Sequence, residues 1–392
     1  MVSLSPYTMY NLNNLNDEST RVAHQMSTGR VLQNGSDDSS TYTEILNIED
    51  KLRTYQNLQT QVQNTVAQNE VADSTMTQLK EQLDTIRNEL MKSLNSGIDR
   101  STRTAMAVNI DGIKTTLQML ANTAVNGEYV FTGSDTTIKP FVTNPETGEV
   151  EYDGDGILRR VAIDPSVYRE RGVNGFDVMM YNADTATDGE TLSFSPDERV
   201  IDENGHEWKF LNNEFNEASD YEYLYLDGDA SKDRIKVKVS TSEINGDNQT
   251  APYKFETDQV TKDGRVLMAK HNYFDDIDKI IYALQGYAED GATVISNDEV
   301  TDVLSKELDN ANEIYDSLNV SHAKLGGRDK IFINASERIS SQIKHFDVLL
   351  NEAGAADLSK VAMESQSLEL LYTSLYSTIT KMNNLSLINF VK

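Results

Sequence analysis

The sequence predicts a mainly α, elongated rod of long antiparallel coiled-coil helices, with an inserted β-rich domain and both termini at one end. Proline placement is the first observation: of six prolines, Pro6 stands alone and the other five, Pro140 to Pro252, fall in the middle of the chain. Proline is costly inside a helix, so 7–139 and 253–392 are free to be helical throughout. The second observation is a narrow apolar stripe in both flanks, stepping alternately by three and four residues. That is the coiled-coil pattern, and it needs a partner helix. The third is a middle segment that changes to a period of two.

The elements follow in order. Thr8, Leu12, Leu15, Ser19, Val22 and Met26 line one face of a first helix. Ile45, Ile48, Leu52, Tyr55, Gln59, Val62 and Val66 line a second. The stripe then shifts phase around Gln68 and Asn69 and resumes as Met76, Leu79, Leu83, Ile86, Leu90 and Leu94. A helix over 41–96 would run about 80 Å at ~1.5 Å per residue. Gly97 ends it, and Asp99 or Ser101 caps the next. There the seam is Met106, Ile110, Ile113, Leu117, Leu120 and Ala124.

On the far side, Leu304, Leu308, Ala311, Tyr315, Leu318, His322 and Leu325 make one seam. Ile339, Ile343, Phe346 and Leu350 continue it beyond Gly326-Gly327. Val361, Ser365, Leu368, Tyr372, Leu375, Ile379 and Met382 make the last. The tyrosines are seam residues with a polar tip. Between the flanks, Ile235, Val237 and Val239 alternate with Arg234, Lys236 and Lys238 as a half-buried strand. Tyr221–Leu226 and Glu207–Leu211 are strand-like, and Asn204-Gly205 and Asp227-Gly228 are turn signals.

Composition narrows the function classes. Lys and Arg total 35 against 63 Asp and Glu, a net charge of -28. Half of that excess lies in 140–270, which holds 28 acidic and 14 basic residues. So acidic a chain is a poor partner for duplex nucleic acid, which is held through Lys and Arg on phosphates, and for an anionic membrane surface. The absence of cysteine removes disulfides and thiolate chemistry together. No apolar run approaches the roughly 18 residues of a membrane span. Met1–Tyr10 lacks a basic, then apolar, secretory leader. The expectation is a cytoplasmic chain, or one exported without a cleaved signal.

Catalytic, cofactor and metal signatures are missing. His24, His206, His271, His322 and His345 form no His-Glu-x-x-His pair. Gly127 and Gly133 lack the trailing Gly-Lys-Ser/Thr of a phosphate loop. Asp153-Gly-Asp155-Gly and the Asp227–Asp233 segment resemble calcium loops for a few positions. Ile157, Lys232 and Lys238 then stand where ligands or the turn glycine belong, so solvated turns are the better reading. His322 reads as a hydrogen-bonded packing residue. We expect no enzyme and no cofactor.

Three blocks carry a family resemblance. Gln25-Met26-Ser27-Thr28-Gly29-Arg30, followed by Gly35-Ser36-Asp37-Asp38, resembles the N-terminal signature shared by flagellins and the hook-associated protein 3 family. Leu385–Val391 is similar to the matching C-terminus. Gly127–Ser134, with Phe131 and Gly133, followed by Lys139-Pro-Phe141, is similar to the segment where hook-associated protein 3 leaves its helical domain. Two departures stand out. Ser39 replaces a frequent proline after Asp38, and Gly326-Gly327 interrupts a segment that the family keeps helical.

The resemblance implies a structural subunit of the bacterial flagellum at the hook-filament junction. It would be exported through the flagellar type III channel and assembled outside the cell. Implied partners are other copies in a ring, the hook-side junction protein, flagellin and an export chaperone on the C-terminal region, with no nucleic acid or membrane. The implied domain plan has three parts. Residues 1–40 and 355–392 are terminal helices for an inner tube, 41–139 and 271–354 are a helical rod, and 140–270 is an inserted β-rich outer domain. The expected assembly interface is Leu12, Leu15, Val22 and Met26 with Val361, Leu368, Tyr372, Leu375, Ile379 and Met382. Isolated helices are marginal in water, so these ends are expected to become helical on assembly. Filament flagellin and a secreted coiled-coil binding protein are the alternative readings.

Overall fold

A computed structural model describes residues 6–95, 98–213, 221–240, 254–258 and 265–390, with the side chains of 8, 240 and 382–390 left out. The chain forms two compact units, one from 1–60 with 336–392 and the other from 61–335.

The first unit is helical. It contains α1 (Pro6–Thr28), the opening of α2 (Ser39–Ser93), the close of α6 (Asn297–Gly354) and α7 (Leu358–Phe390). Pro6 takes the first position of α1, where its missing N–H is no loss. Asp38 starts α2 by accepting hydrogen bonds from the N–H groups of Ser40 (3.0 Å) and Thr41 (3.2 Å). Ser39 therefore enters the helix without the family's proline. Asp357 does the same for α7, accepting from the N–H groups of Ser359 and Lys360. Within this unit Tyr55 packs on Phe346 with ring centroids 5.5 Å apart.

The second unit joins helices and sheet. Along α2 from Val62 onward the buried seam is Val62, Thr65, Asn69, Ala72, Met76, Leu79, Leu83, Ile86 and Leu90, with Thr75 buried beside it. The seam steps 3 and 4 without a break, so the expected phase shift does not occur. Polar Thr65 and Asn69 simply occupy seam positions. Thr65 donates back to Gln61 O (2.9 Å) and Asn69 to Asp329 (3.3 Å), which makes their burial tolerable.

The helix α3 (Arg100–Ala121) is capped by Asp99, which accepts from Thr102 N at 2.8 Å. Its buried face is Ala107, Ile110, Ile113, Leu117 and Ala121. Ala124 is not part of that seam, because the helix ends at Ala121 and Ala124 is an exposed strand residue. Asn122 stops the helix by exchanging two side-chain hydrogen bonds with the backbone of Phe141, both 2.9 Å. The predicted terminator Gly97 lies outside the described residues.

Helix α6 runs unbroken through Gly326-Gly327. Both glycines lie on an open face with nothing within 4 Å of a built Cβ. Leu325, Phe332 and Ala335 hold the buried face around them. Two exposed glycines cost a helix about 1 kcal/mol each, which this packing exceeds. Phe332, absent from the predicted seam, is fully buried.

The middle of the chain is mostly sheet. After the short pairs β1 (Ala124–Val125) with β2 (Glu128–Tyr129), β3 (Phe141–Thr143) with β4 (Val150–Tyr152), and β5 (Arg160–Asp164) with β6 (Val167–Glu170), one turn of helix α4 (Gly175–Val178) leads into an eight-stranded sheet. Its strands are β7 (Met180–Ala186), β8 (Ser193–Phe194), β9 (Arg199–Asp202), β10 (Glu207–Phe210), β11 (Tyr221–Leu226), β12 (Arg234–Ser240), β13 (Lys254–Thr257) and β14 (Leu267–Asn272). Their spatial order is β7-β14-β9-β10-β11-β12-β13-β8, every pairing antiparallel.

The expected strand at 234–239 is β12, with Val237 fully buried. Asp227 and Gly228 turn with positive φ (54° and 69°). One core lies along this sheet, around Trp208, Leu224, Val237 and Phe255. Another joins its β7 end to α3, α6 and α5 (Tyr273–Gln285) through Phe141, Tyr152, Phe176 and Phe274. Adjacent rings in that group are 5.0 to 5.5 Å apart, a spacing that adds to simple burial.

Candidate functional site

Helices α1 and α7 pair in opposite directions. Arg21 reaches Glu364 (3.1 Å), and Gly29 O accepts from Ala356 N (2.8 Å), so the end of α1 meets the start of α7. Val22, Val361 and Leu368 form a small buried cluster, with Leu15 packed against it. Leu12, Tyr372, Leu375 and Ile379 are half-buried. Met26 points away and is 51% exposed. Met382 lies in α7, but its side chain is outside the described residues. Leu385–Val391 is likewise beyond side-chain description. The seam is thin for helices of 23 and 33 residues. Large apolar side chains remain outside it: Tyr7, Tyr10, Met363 and Leu370 are all more than 60% exposed.

The signature residues build the loop that closes this pair. Gln25, buried on α1, accepts from Arg21 (3.1 Å) and donates to Val31 O (2.6 Å). Ser27 and Thr28 hydroxyls donate back to His24 O (3.0 and 2.7 Å) and end the helix. Gly29 then takes φ +67°, a left-handed conformation that glycine adopts freely. Arg30 forms an antiparallel bridge with Ala355, flanked by Val31 N donating to Gly354 O (2.8 Å). Asp37 gathers the N–H groups of Gln33 and Asn34, and Asp38 caps α2. Gly35, between Asn34 and Asp37, lies under Tyr42, whose ring would be 2.8 Å from a Cβ there. Ser36 sits in the same turn.

Phe131 and Gly133 serve a different place, in the second unit. Phe131 is fully buried, and the Tyr152 hydroxyl lies 2.9 to 3.1 Å from the carbonyl oxygens of Phe131, Thr132 and Asp155. Gly133 turns with φ +96°, its Cα facing Asp155. Asp155 is held by Ser134 N (2.9 Å), the Ser134 hydroxyl and Ile157 N (2.9 Å). Asp229 accepts from Ser231 N and Oγ (2.9 and 2.7 Å). The Asp155 carboxylate is thus taken up by Ser134 and Ile157, and that of Asp229 by its own turn. Among the described residues no cluster of three or more His, Asp or Glu is placed to hold a metal ion. No described helix is long and apolar enough to cross a membrane.

One buried polar group escaped sequence reasoning. Asp276 on α5 is completely buried, accepting from the Tyr181 hydroxyl (2.9 Å) and lying 2.8 Å from His271 Nε2. Only the sequence clustering of His271, Asp275, Asp276 and Lys279 hinted at it. Burial disfavours a charged His271, but the Asp276 hydrogen bond and charge outweigh it and raise the pKa. Across the helix interface, burial and the Asp276 charge push Glu307 up to about 7, against Asn310, Lys279 and Lys306.

A carboxyl whose folded pKa is raised contributes stability that is full below its unfolded value and lost as pH climbs to the folded one. This group therefore weakens the second unit between about pH 4.3 and 7. Glu307→Gln should stabilise that unit by roughly 2 kcal/mol at pH 8 and change little at pH 4.5. Denaturant melts at the two pH values check this.

Comparisons with known proteins agree with the geometry. Residues 3–136 match the bacterial flagellin N-terminal helical region. The fold is shared with FlgL of Xanthomonas campestris (TM-score 0.50, 15% identity, covering 78% of this chain and 99% of that one). It is also shared with a putative flagellar hook-associated protein of Vibrio parahaemolyticus (TM-score 0.52, 12% identity, 81% and 100%). The fold is thus shared with these flagellar proteins, and the N-terminal third of the chain is similar to flagellin.

Among curated proteins the similarity runs to flagellar hook-associated protein 3. The Escherichia coli protein is 28% identical over 185 residues, 46% of this chain and 57% of the relative. The Salmonella typhimurium protein is 29% identical over 136 residues, 34% of this chain and 42% of the relative. The chain thus aligns with about half the length of these curated relatives. Gln25–Arg30, Gly35–Asp38 and Gly127–Ser134 all lie within the residues that match the flagellin N-terminal region.

Proposed function

We propose that the chain is a structural subunit of the bacterial flagellum, joining the hook-side junction protein to the flagellin filament, and that it performs no catalysis. The observation that carries this is the α1–α7 pair, which closes at the signature loop yet leaves Tyr7, Tyr10, Met363 and Leu370 exposed. A paired seam with so much apolar side chain left outside is suited to burial against further copies. Removing it from water contributes roughly 25 cal/mol per Å².

In this reading the chain leaves the cell by type III export, with a chaperone on its C-terminal helix. It forms a ring with α1 and α7 innermost, both termini at one end and the sheet outward. The relatives' names favour the junction over the filament. Electron microscopy of a deletion strain tests it: hooks without filaments, with flagellin monomers in the medium, are expected. Normal filaments would overturn the proposal, and loss of the flagellin monomer itself would point to filament flagellin.

A further inference from the structure

A cleft of about 450 Å³ opens in the second unit between α6 and the β7–β14–β9 end of the sheet. Its floor holds an unusual group. Lys270, on β14, is only 6% exposed and lines the cleft. Among the described residues its ammonium has no ion pair and no hydrogen bond. Ser321, 2% exposed on α6 and lining the same cleft, likewise has a hydroxyl with no partner among those residues. A buried cation without an acceptor is costly. Burial, with Lys324 adding to it, accordingly pushes the Lys270 pKa down to about 8, while Asp177 acts in the opposite sense.

The walls say what would satisfy it. Lys324 and Arg328 stand on the α6 side, but Arg328 is occupied by Gly172 O (2.8 Å) and by Glu170 (3.7 Å). The rim is acidic, with Glu203, Glu313 and Asp316. Asp177 and Asp202 add to these carboxylates, and Lys324, like Lys270, has no ion pair among the described residues. A multiply charged phosphate meets the surplus of carboxylates unfavourably, whereas a single negative charge seated on the buried Lys270 meets it least. Ser317, Ser321 and Asn182 offer hydroxyl and amide groups rather than an apolar lining.

We propose that this cleft is a binding site for a small hydroxylated monocarboxylate, its carboxylate on Lys270 and its hydroxyls toward α6. The probes are glucuronate, methyl glucoside as its uncharged counterpart, and inorganic phosphate, added to the full chain. The readouts are calorimetry and the NMR titration of the Lys270 amine after reductive ¹³C-methylation. A charge-assisted hydrogen bond corresponds to about 10- to 100-fold in affinity. Glucuronate is therefore expected to bind at least about tenfold tighter than methyl glucoside and to raise the Lys270 titration point.

Lys270→Met should abolish the difference between the two sugars. Should that variant unfold, Ser321→Ala gives a milder test, weakening glucuronate binding several-fold. Glucuronate that leaves the Lys270 resonance and its titration unmoved overturns the proposal, as does equal binding of all three probes. Tighter binding of phosphate than of glucuronate overturns the assignment to a monocarboxylate.

Discussion

Val22→Asp is expected to abolish incorporation into flagella while the second unit melts as in the parent chain. Val22 is 2% exposed at the centre of the α1–α7 cluster, against Val361 and Leu368. A carboxylate there has no designed partner, and burying it costs several kcal/mol, about 3 or more. Among the described residues the cluster contains three buried apolar side chains, so one such change removes its basis. The 61–335 unit has its own core, so its thermal transition should be unmoved. Motility plates and flagellin in the medium read the first effect, and calorimetry reads the second. A motile Val22→Asp strain would contradict the role given to this seam.

Gly133→Ala should destabilise the second unit by about 3 kcal/mol, through two causes that act together. The φ of +96° is a conformation that alanine adopts only with strain, of order 1–2 kcal/mol. A methyl group would also run into the Asp155 carboxylate and carbonyl oxygen, an overpacking that costs about 1–3 kcal/mol. The Asp155 carbonyl is one of the three that meet the buried Tyr152 hydroxyl, at 2.9 Å, so it cannot retreat freely. Equilibrium denaturation measures the loss. Gly127→Ala is the comparison, since Gly127 has φ +83° but nothing within 4 Å of a built Cβ. The smaller effect is expected there. Equal effects would show that conformation alone, and not the Asp155 contact, explains the glycine at 133.

Much of this architecture was legible because helices and strands impose different periods on the same apolar residues. The stripes of α2 and α6 and the alternation in β12 were read directly from spacing. The reading failed where a seam position carried a polar residue. Asn69 looked like a break because its partner, Asp329, lies 260 residues away, and no local pattern reveals that pairing. Gly326-Gly327 looked like an interruption because glycine is a poor helix former. Its position on the open face, where neither residue is needed for packing, makes it tolerable.

For the candidate site, the motif Gln25–Arg30 marked the loop between α1 and α2 without its physical reason. The side-chain bond from Gln25 to Val31 O and the bridge from Arg30 to Ala355 became visible only in three dimensions. The Asp276 group and the Lys270 cleft were illegible for the same cause. Each is assembled from strands and helices far apart in sequence, and neither Asp276 nor Lys270 differs in sequence from a surface charge.

Hydrogen exchange on the chain, free and assembled into flagella, tests the central claim most directly. Amides of α1 around Leu15–Val22 and of α7 around Val361–Leu368 should exchange rapidly in the free chain and become strongly protected on assembly. Those of α5 and of α2 beyond Val62 should be protected in both. Equal, full protection of α1 and α7 in the free chain would mean that the pair is already complete by itself, contradicting a seam finished by neighbouring copies.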